Sequence, residues 1–116
     1  MSIALDVVGG FIGVAVTFSA VGKLTKRPDV AATLAKVGVT PAQMPLLAVL
    51  ELLAALGLLV GIWTKAAGTA AAAGLVLYFL GAVAAHVRVK DTVKDLFPAA
   101  LLTVISVATL LLEVQR

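Results

Sequence analysis

The chain has 116 residues, of which 62% are hydrophobic and only 13% are charged. Soluble domains carry roughly a quarter charged residues, and a chain of this size keeps much of its surface exposed. With a mean hydropathy of +1.16, too few polar residues remain to cover that surface in water. The composition therefore excludes an ordinary soluble globule and indicates a membrane protein whose side chains mostly contact lipid.

The charge and the cysteine content exclude several further classes of function. The net charge is +3 and there is no cysteine, which excludes disulfides, thiolate catalysis and cysteine-bound metal. Because tight transition-metal sites need three or four good ligands and the chain has one histidine, we expect no metal. The basic residues lie in short segments between apolar runs, so we expect contacts with membrane lipids and no binding of nucleic acid.

Four apolar segments follow one another, each near the length that crosses a bilayer. We place these spans at about residues 3–22, 45–63, 66–87 and 98–114. The N-terminus lacks a basic region and a cleavage site, so we expect the first span to be a retained helix. Backbone groups in lipid must bond within their own segment, so each span should be helical. The sequence predicts an all-α protein: one transmembrane domain over residues 1–116, folded as an antiparallel up-down four-helix bundle.

The segment between the first two spans is long enough for structure of its own. Pro28 and Asp29 suit a helix start and Gly38 suits a C-terminal cap, so this stretch predicts a short interfacial helix. The following "TPAQ" predicts a capping box, with Thr40 as N-cap, Pro41 at the first helical position and Gln43 reaching back. The second membrane helix should therefore begin a turn before its apolar run.

Basic residues between the spans predict the orientation. The segments after the first and third spans hold seven of them, and the opposite side holds two: Lys23, Lys26, Arg27, Lys36, Arg88, Lys90 and Lys94 against Lys65 and Arg116. Because positive segments stay in the cytoplasm, we expect loops 1 and 3 there, both termini outside, and the protein in the plasma membrane.

Two pairs of glycines are spaced as GxxxG, a pattern that allows close helix packing in membranes. Gly9 and Gly13 lie in the first span, and Gly57 and Gly61 lie in the second. Both pairs indicate a compact bundle or a homo-oligomer.

One carboxylate interrupts the second span, in "PLLAVLELLAALGLLVGIW". An ionised Glu51 in lipid costs roughly 2.5 to 3.5 kcal/mol, so it should face the bundle interior and find partners. At about 1.5 Å per residue it lies roughly 9 Å inward from the end of its helix. The connectivity brings five further polar residues to the same leaflet: Ser19, Lys23, Tyr78, His86 and Thr103.

Glu51 and His86 are therefore a candidate acid–base pair, and all six residues are candidate ligand-binding groups. The two could share a proton, catalyse a reaction, or hydrogen-bond a quinone-like or sterol-like molecule from the bilayer. Simpler interpretations stay open: His86 could bond headgroups, Lys23 could mark topology and Tyr78 could only pack. Two nearby acids, Asp91 and Asp95, are predicted to lie in a solvated loop and at a helix start.

Three stretches resemble the DoxX-like family of membrane proteins. "FSAVGKLTKRPD" is similar to the end of that family's first helix, although Lys23 follows Gly22 directly. "LAVLELLAALGLLVGIW" is similar to its second helix and places Glu51 before Ala55, Leu56 and Gly57. "AAAGLVLYFLGAVAAHVRVKD" is similar to its third. The resemblance implies a four-helix membrane bundle of the DoxX/MauE type, with Lys23, Glu51 and His86 as the site residues.

The first hypothesis is a bundle that binds a quinone- or isoprenoid-like molecule and acts as the membrane subunit of a redox or stress-response system, as some members of this family do. The alternative is a membrane-embedded acid–base enzyme, an isomerase, cyclase or epoxide-opening enzyme on a lipophilic substrate. A small proton-coupled transporter is less favoured because its acid belongs in the first span. An assembly chaperone, a homo-oligomer and a protein partner stay open.

Overall fold

A computed structural model describes residues 3–116 and contains five helices in that range, without a strand. The helices are α1 (Ile3–Leu24), α2 (Pro28–Lys36), α3 (Met44–Val60), α4 (Lys65–Arg88) and α5 (Val93–Val114). Around the bundle, α1 packs on α3 and α5, and α4 packs on the same two helices. The short α2 touches α1 only sparsely and buries none of its residues.

The exterior of this bundle is apolar and its interior holds much of the polar chemistry. Phe18 is 74% exposed and Trp63 is 76% exposed, whereas Glu51 is 1% exposed. Among residues 3–116, six polar or charged residues are buried: Lys23, Glu51, His86, Ser106, Thr109 and Glu113. Water would favour the reverse arrangement, so lipid must be the solvent of the outer surface.

Three of the helices have the length and apolarity needed to cross a membrane, namely α1, α4 and α5. The apolar α3 has 17 residues and is shorter. Together with the composition, these helices make the chain a membrane protein and are compatible with a helical membrane bundle.

Local sequence signals account for the helix ends. Pro28 begins α2 as predicted, and Gly38 follows that helix with a positive φ of 89°, a conformation that favours glycine. The side chain of Thr92 accepts a hydrogen bond from the backbone N–H of Asp95, so α5 begins at Val93 and not near Pro98. Pro98 lies inside the second turn of α5, where it removes one backbone hydrogen bond.

The predicted start of α3 at Pro41 is wrong. Gln43 does reach back, since its Oε1 accepts a hydrogen bond of 3.0 Å from the backbone N–H of Thr40. Its own N–H bonds to the Thr40 carbonyl, which closes a turn, and the helix begins only at Met44. The residues of the capping box therefore form a separate turn before α3.

The two GxxxG pairs have different environments. A Cβ on Gly61 would lie 2.5 Å from Cα of Gly68, and one on Gly57 would lie 2.8 Å from Cβ of Ala71. These glycines allow the close contact of α3 with α4. A Cβ on Gly13 would meet nothing within 4 Å, so the first pair has no such role within one chain and the homo-oligomer stays a prediction.

Candidate functional site

A buried ion pair joins α1 to α3. The Nζ atom of Lys23 donates a hydrogen bond of 2.7 Å to Oε1 of Glu51 and one of 2.6 Å to Oγ of Ser19. The Ser19 hydroxyl donates to the same Glu51 oxygen at 3.2 Å. The lysine and glutamate side chains are 8% and 0% exposed. Two opposite charges that share a hydroxyl can remain in the bundle because each compensates the charge of the other.

Helical periodicity places these groups on the inward faces. The buried residues of α1 continue at steps of three or four from Ile12 through Val16 and Ala20 to Lys23. In α3 the buried residues are Met44, Ala48 and Glu51. Each charged residue thus occupies a position that an apolar core residue would otherwise fill. Ser19 lies one turn before Lys23 on the same face, which explains their contact.

The second oxygen of Glu51 is unsatisfied. Its Oε2 atom is buried and has no hydrogen-bond partner among residues 3–116. The phenol of Tyr78, on α4, lies near this carboxylate and interacts with it electrostatically, although the geometry falls short of a hydrogen bond to Oε2. Because an unpaired buried oxygen is costly, a small rotation of the phenol toward Oε2 would be favourable.

A cavity of about 610 Å³ lies beside this ion pair. All five helices, or the loops that follow them, contribute to its walls. Polar groups line it from Ser19 and Lys23 on α1, Thr33 on α2, Tyr78 and His86 on α4 and Asp95 on α5. The apolar lining residues include Leu34, Leu47, Leu77, Phe79, Pro98 and Leu102. Mostly apolar walls with a few polar groups are typical of a site for a small lipophilic molecule.

His86 also lines the cavity, but its partner is not Glu51. Its Nδ1 atom lies 2.7 Å from Oδ2 of Asp91, and the Asp91 side chain is only 4% exposed. The other Asp91 oxygen is 2.7 Å from Nζ of Lys36, which also binds Asp95. The expectation that Asp91 lies in a solvated loop is therefore wrong, because a histidine and a lysine enclose its carboxylate.

These contacts shift the pKa values of Asp91 and Lys36. The hydrogen bond from Lys36 lowers the pKa of Asp91 to about 2, and His86 and the backbone of Thr92 act in the same direction. In turn, hydrogen bonds to Asp91 and Asp95 raise the pKa of Lys36. Asp91 and Lys36 therefore both stay ionised over the physiological range.

The cluster of Lys36, His86, Asp91 and Asp95 attaches α2 beside the cavity. Thr33, Leu34 and Val37 line the cavity from α2 and its end, while Lys36 on the same helix binds the two acids of the α4–α5 loop region. Arg88 adds a hydrogen bond of 3.4 Å to the Val37 carbonyl. Since α2 has few other contacts, these polar bonds hold it in place.

The candidate residues thus separate into two groups. Lys23, Ser19 and Glu51 contact one another with Tyr78 beside them, whereas His86 belongs to the Asp91 cluster on the same cavity. Thr103 does not line the cavity. Its hydroxyl donates a hydrogen bond of 2.7 Å to the Ala99 carbonyl within α5. Glu51 and His86 make no hydrogen bond with each other, so their pairing as acid and base stays a prediction.

Comparison with the models of known protein families identifies the family of this chain. The model of the DoxX-like family matches residues 7–109, a range that includes both halves of the site. The chain belongs to the DoxX-like family. Comparisons with curated proteins and with solved structures give no match.

This DoxX-like chain has a second buried acid that the sequence analysis did not single out. Glu113 in α5 is 3% exposed, and its Oε2 atom accepts a hydrogen bond of 2.9 Å from Nη1 of Arg116. Arg116 also donates to the Gly61 carbonyl. Glu113 continues the buried stripe of Ser106 and Thr109, so the helical spacing alone was sufficient to find it.

The chain also has a larger, more apolar groove, of about 760 Å³. It runs mainly between α1 and α3, with Gly9, Gly10 and Gly13 on one wall and Leu56 and Leu59 on the other. Glu113 is at one edge, already paired with Arg116. Because its walls offer few polar groups, we place the candidate site in the smaller cavity.

Among residues 3–116, no three His, Asp or Glu side chains gather in a way that could hold a metal ion. The polar groups around the cavity are instead hydrogen-bond donors and acceptors.

Proposed function

We propose that this DoxX-like protein binds a lipophilic small molecule, quinone- or isoprenoid-like, in the cavity beside the Lys23–Glu51 pair. The observation that carries the proposal is a cavity of about 610 Å³ with mostly apolar walls and with polar groups from Lys23, Tyr78 and His86 among its lining residues. Pockets of about 300 to 1,000 Å³ hold small organic ligands. The apolar part of the ligand would fill the walls, and its polar group would face the lysine and histidine.

The ion pair supports this function by holding the Lys23 ammonium group at the cavity. An ammonium group has three donors, and here Ser19 and Glu51 accept two of them. The third can donate to an oxygen of the ligand. Without Glu51 the lysine would lack its partner, and an unpaired cation in lipid is costly.

The proposal includes the arrangement in the membrane. We infer that α1, α3, α4 and α5 cross the plasma membrane in alternating directions, with the two basic loops in the cytoplasm. Single cysteines are informative because the chain has none of its own. An impermeant maleimide added to intact cells should label Thr64→Cys and leave Lys90→Cys unlabelled; the reverse pattern would contradict this orientation.

Such a protein would suit a role as the membrane subunit of a redox or stress-response system that handles a lipid-soluble carrier. The alternative, an acid–base enzyme, needs Glu51 and His86 to act on one substrate. The structure gives each of them a different partner, so the observations favour binding.

Co-purification tests the proposed binding. Wild-type protein would be extracted from its membrane directly into lipid nanodiscs, and the bound small molecules would be identified by mass spectrometry beside Glu51→Gln. Glu113→Gln is the matched control, since it also changes a buried, cation-paired acid but lies away from the cavity. We expect a lipophilic compound in wild type and in Glu113→Gln that is absent from folded Glu51→Gln. Identical sets of compounds in all three would contradict the proposal.

A further inference from the structure

The two ring nitrogens of His86 have different hydrogen-bonding environments. This is the only histidine in the sequence, its ring is almost buried and it lines the cavity. Of its two ring nitrogens, Nδ1 lies 2.7 Å from the Asp91 carboxylate. The other nitrogen, Nε2, has no hydrogen-bond partner among residues 3–116.

The charges around Asp91 decide which nitrogen carries the proton. Lys36 binds one oxygen of Asp91, and the backbone N–H of Thr92 donates 2.8 Å to that same oxygen. This environment keeps the carboxylate ionised, so its second oxygen can only accept a hydrogen bond. In a neutral imidazole the proton must therefore reside on Nδ1, which leaves the lone pair of Nε2 free.

The groups facing this ring come from four elements. Asp91 contacts it from the loop after α4, with Lys36 of α2 and Asp95 of α5 behind that carboxylate. Lys23 of α1 lines the same cavity. The cavity thus offers a donor at Lys23 and an acceptor at Nε2 of His86.

We infer that the ligand carries a hydroxyl group which donates to Nε2 of His86, and that Asp91 is the positioning residue that fixes this tautomer. The inference rests on the proposed function and narrows its ligand to an isoprenoid alcohol or a hydroquinone. An ether or a ketone only accepts hydrogen bonds, so it would leave Nε2 unpaired. The loss of one hydrogen bond in a desolvated site corresponds to a roughly tenfold weaker affinity.

The first test measures the tautomer without any ligand. Protein labelled with nitrogen-15 in histidine, in nanodiscs, gives signals from one imidazole ring only. We expect the Nδ1–H tautomer in wild type and in Asp29→Asn, which alters an exposed, ion-paired acid at the same end of the bundle. In Asp91→Asn we expect a mixture of tautomers. A wild-type Nε2–H tautomer, or an imidazolium ring at neutral pH, would overturn the inference because Nε2 would then donate.

The second test compares probes that differ only in the hydroxyl group. Binding of farnesol is measured against farnesyl methyl ether, and binding of a decyl hydroquinone against its dimethyl ether. We expect at least one hydroxyl probe to bind about tenfold more tightly than its ether, with this preference kept in Asp29→Asn and lost in His86→Phe and Asp91→Asn. Equal binding of alcohol and ether would overturn the inference while leaving the proposed binding function intact. If no probe of either kind binds, the inference and the proposed function both fail.

Discussion

Nζ of Lys23 lies 2.7 Å from Oε1 of Glu51, and both side chains are buried between α1 and α3. The two residues are 28 positions apart in the sequence, so this contact connects the end of one apolar segment to the middle of the next. It gives the buried acid a cation as its partner, and that cation lines the cavity.

The first prediction concerns this ion pair. We expect Glu51→Gln and Lys23→Met each to destabilise the protein by about 3 kcal/mol, because each leaves a buried charge without its partner. The double variant should lose clearly less than the sum of the two. Unfolding in mixed micelles, followed by circular dichroism, measures all four proteins. Additive losses would show that the two side chains do not act as a pair.

The second prediction concerns the acid sensitivity of the Asp91 cluster. The pKa of the Asp91 carboxyl in the folded protein is about 2, below the ordinary value of 3.8. Between these values the unfolded chain binds more protons, so the stabilisation by Asp91 is complete above about pH 4 and disappears as the pH falls toward 2.

Asp91→Asn isolates this contribution from those of the other acids. The difference in unfolding free energy between wild type and Asp91→Asn should be constant above about pH 4 and should shrink below it. A difference that stays constant from pH 5 to pH 2 would contradict the ionic contact between Lys36 and Asp91.

The third prediction concerns the α3–α4 contact. Gly61→Ala would place a Cβ 2.5 Å from Cα of Gly68, and overpacking of this kind costs about 1 to 3 kcal/mol. Gly74→Ala is the control, since a Cβ there meets nothing within 4 Å and alanine favours the helix. We expect only Gly61→Ala to lower the unfolding midpoint in micelles. Equal midpoints for the two variants would contradict the close packing of these helices.

The fourth prediction concerns α2 as a cover of the cavity. A cysteine introduced as Ala82→Cys, on the cavity wall, would be the only thiol in the protein. Removing the bonds of Lys36 by Lys36→Met should release α2 and increase the rate of maleimide labelling several-fold. Lys26→Met changes an exposed lysine at the same end of the bundle and should leave that rate unchanged. If Lys36→Met also leaves the rate unchanged, the ionic contacts do not hold α2 in place.

The sequence by itself determined the membrane class, the presence of long apolar helices and the DoxX-like family, since these depend on composition, hydrophobic length and short motifs along one segment. It also placed Glu51, Lys23 and Ser19 together, because connectivity puts their helix ends at one end of the bundle. The sequence also contained the signal for a buried Glu113, because this residue follows Ser106 and Thr109 at helical spacing.

Only the tertiary structure decided which polar groups pair. Glu51 binds Lys23 and not His86, and Asp91 is enclosed by His86 and Lys36 instead of facing water. A pairing depends on the rotation of each helix and on the path of a loop in three dimensions, to within about an ångström. Periodicity shows which side of a helix faces inward, but it does not specify which of several inward-facing partners comes within hydrogen-bond distance.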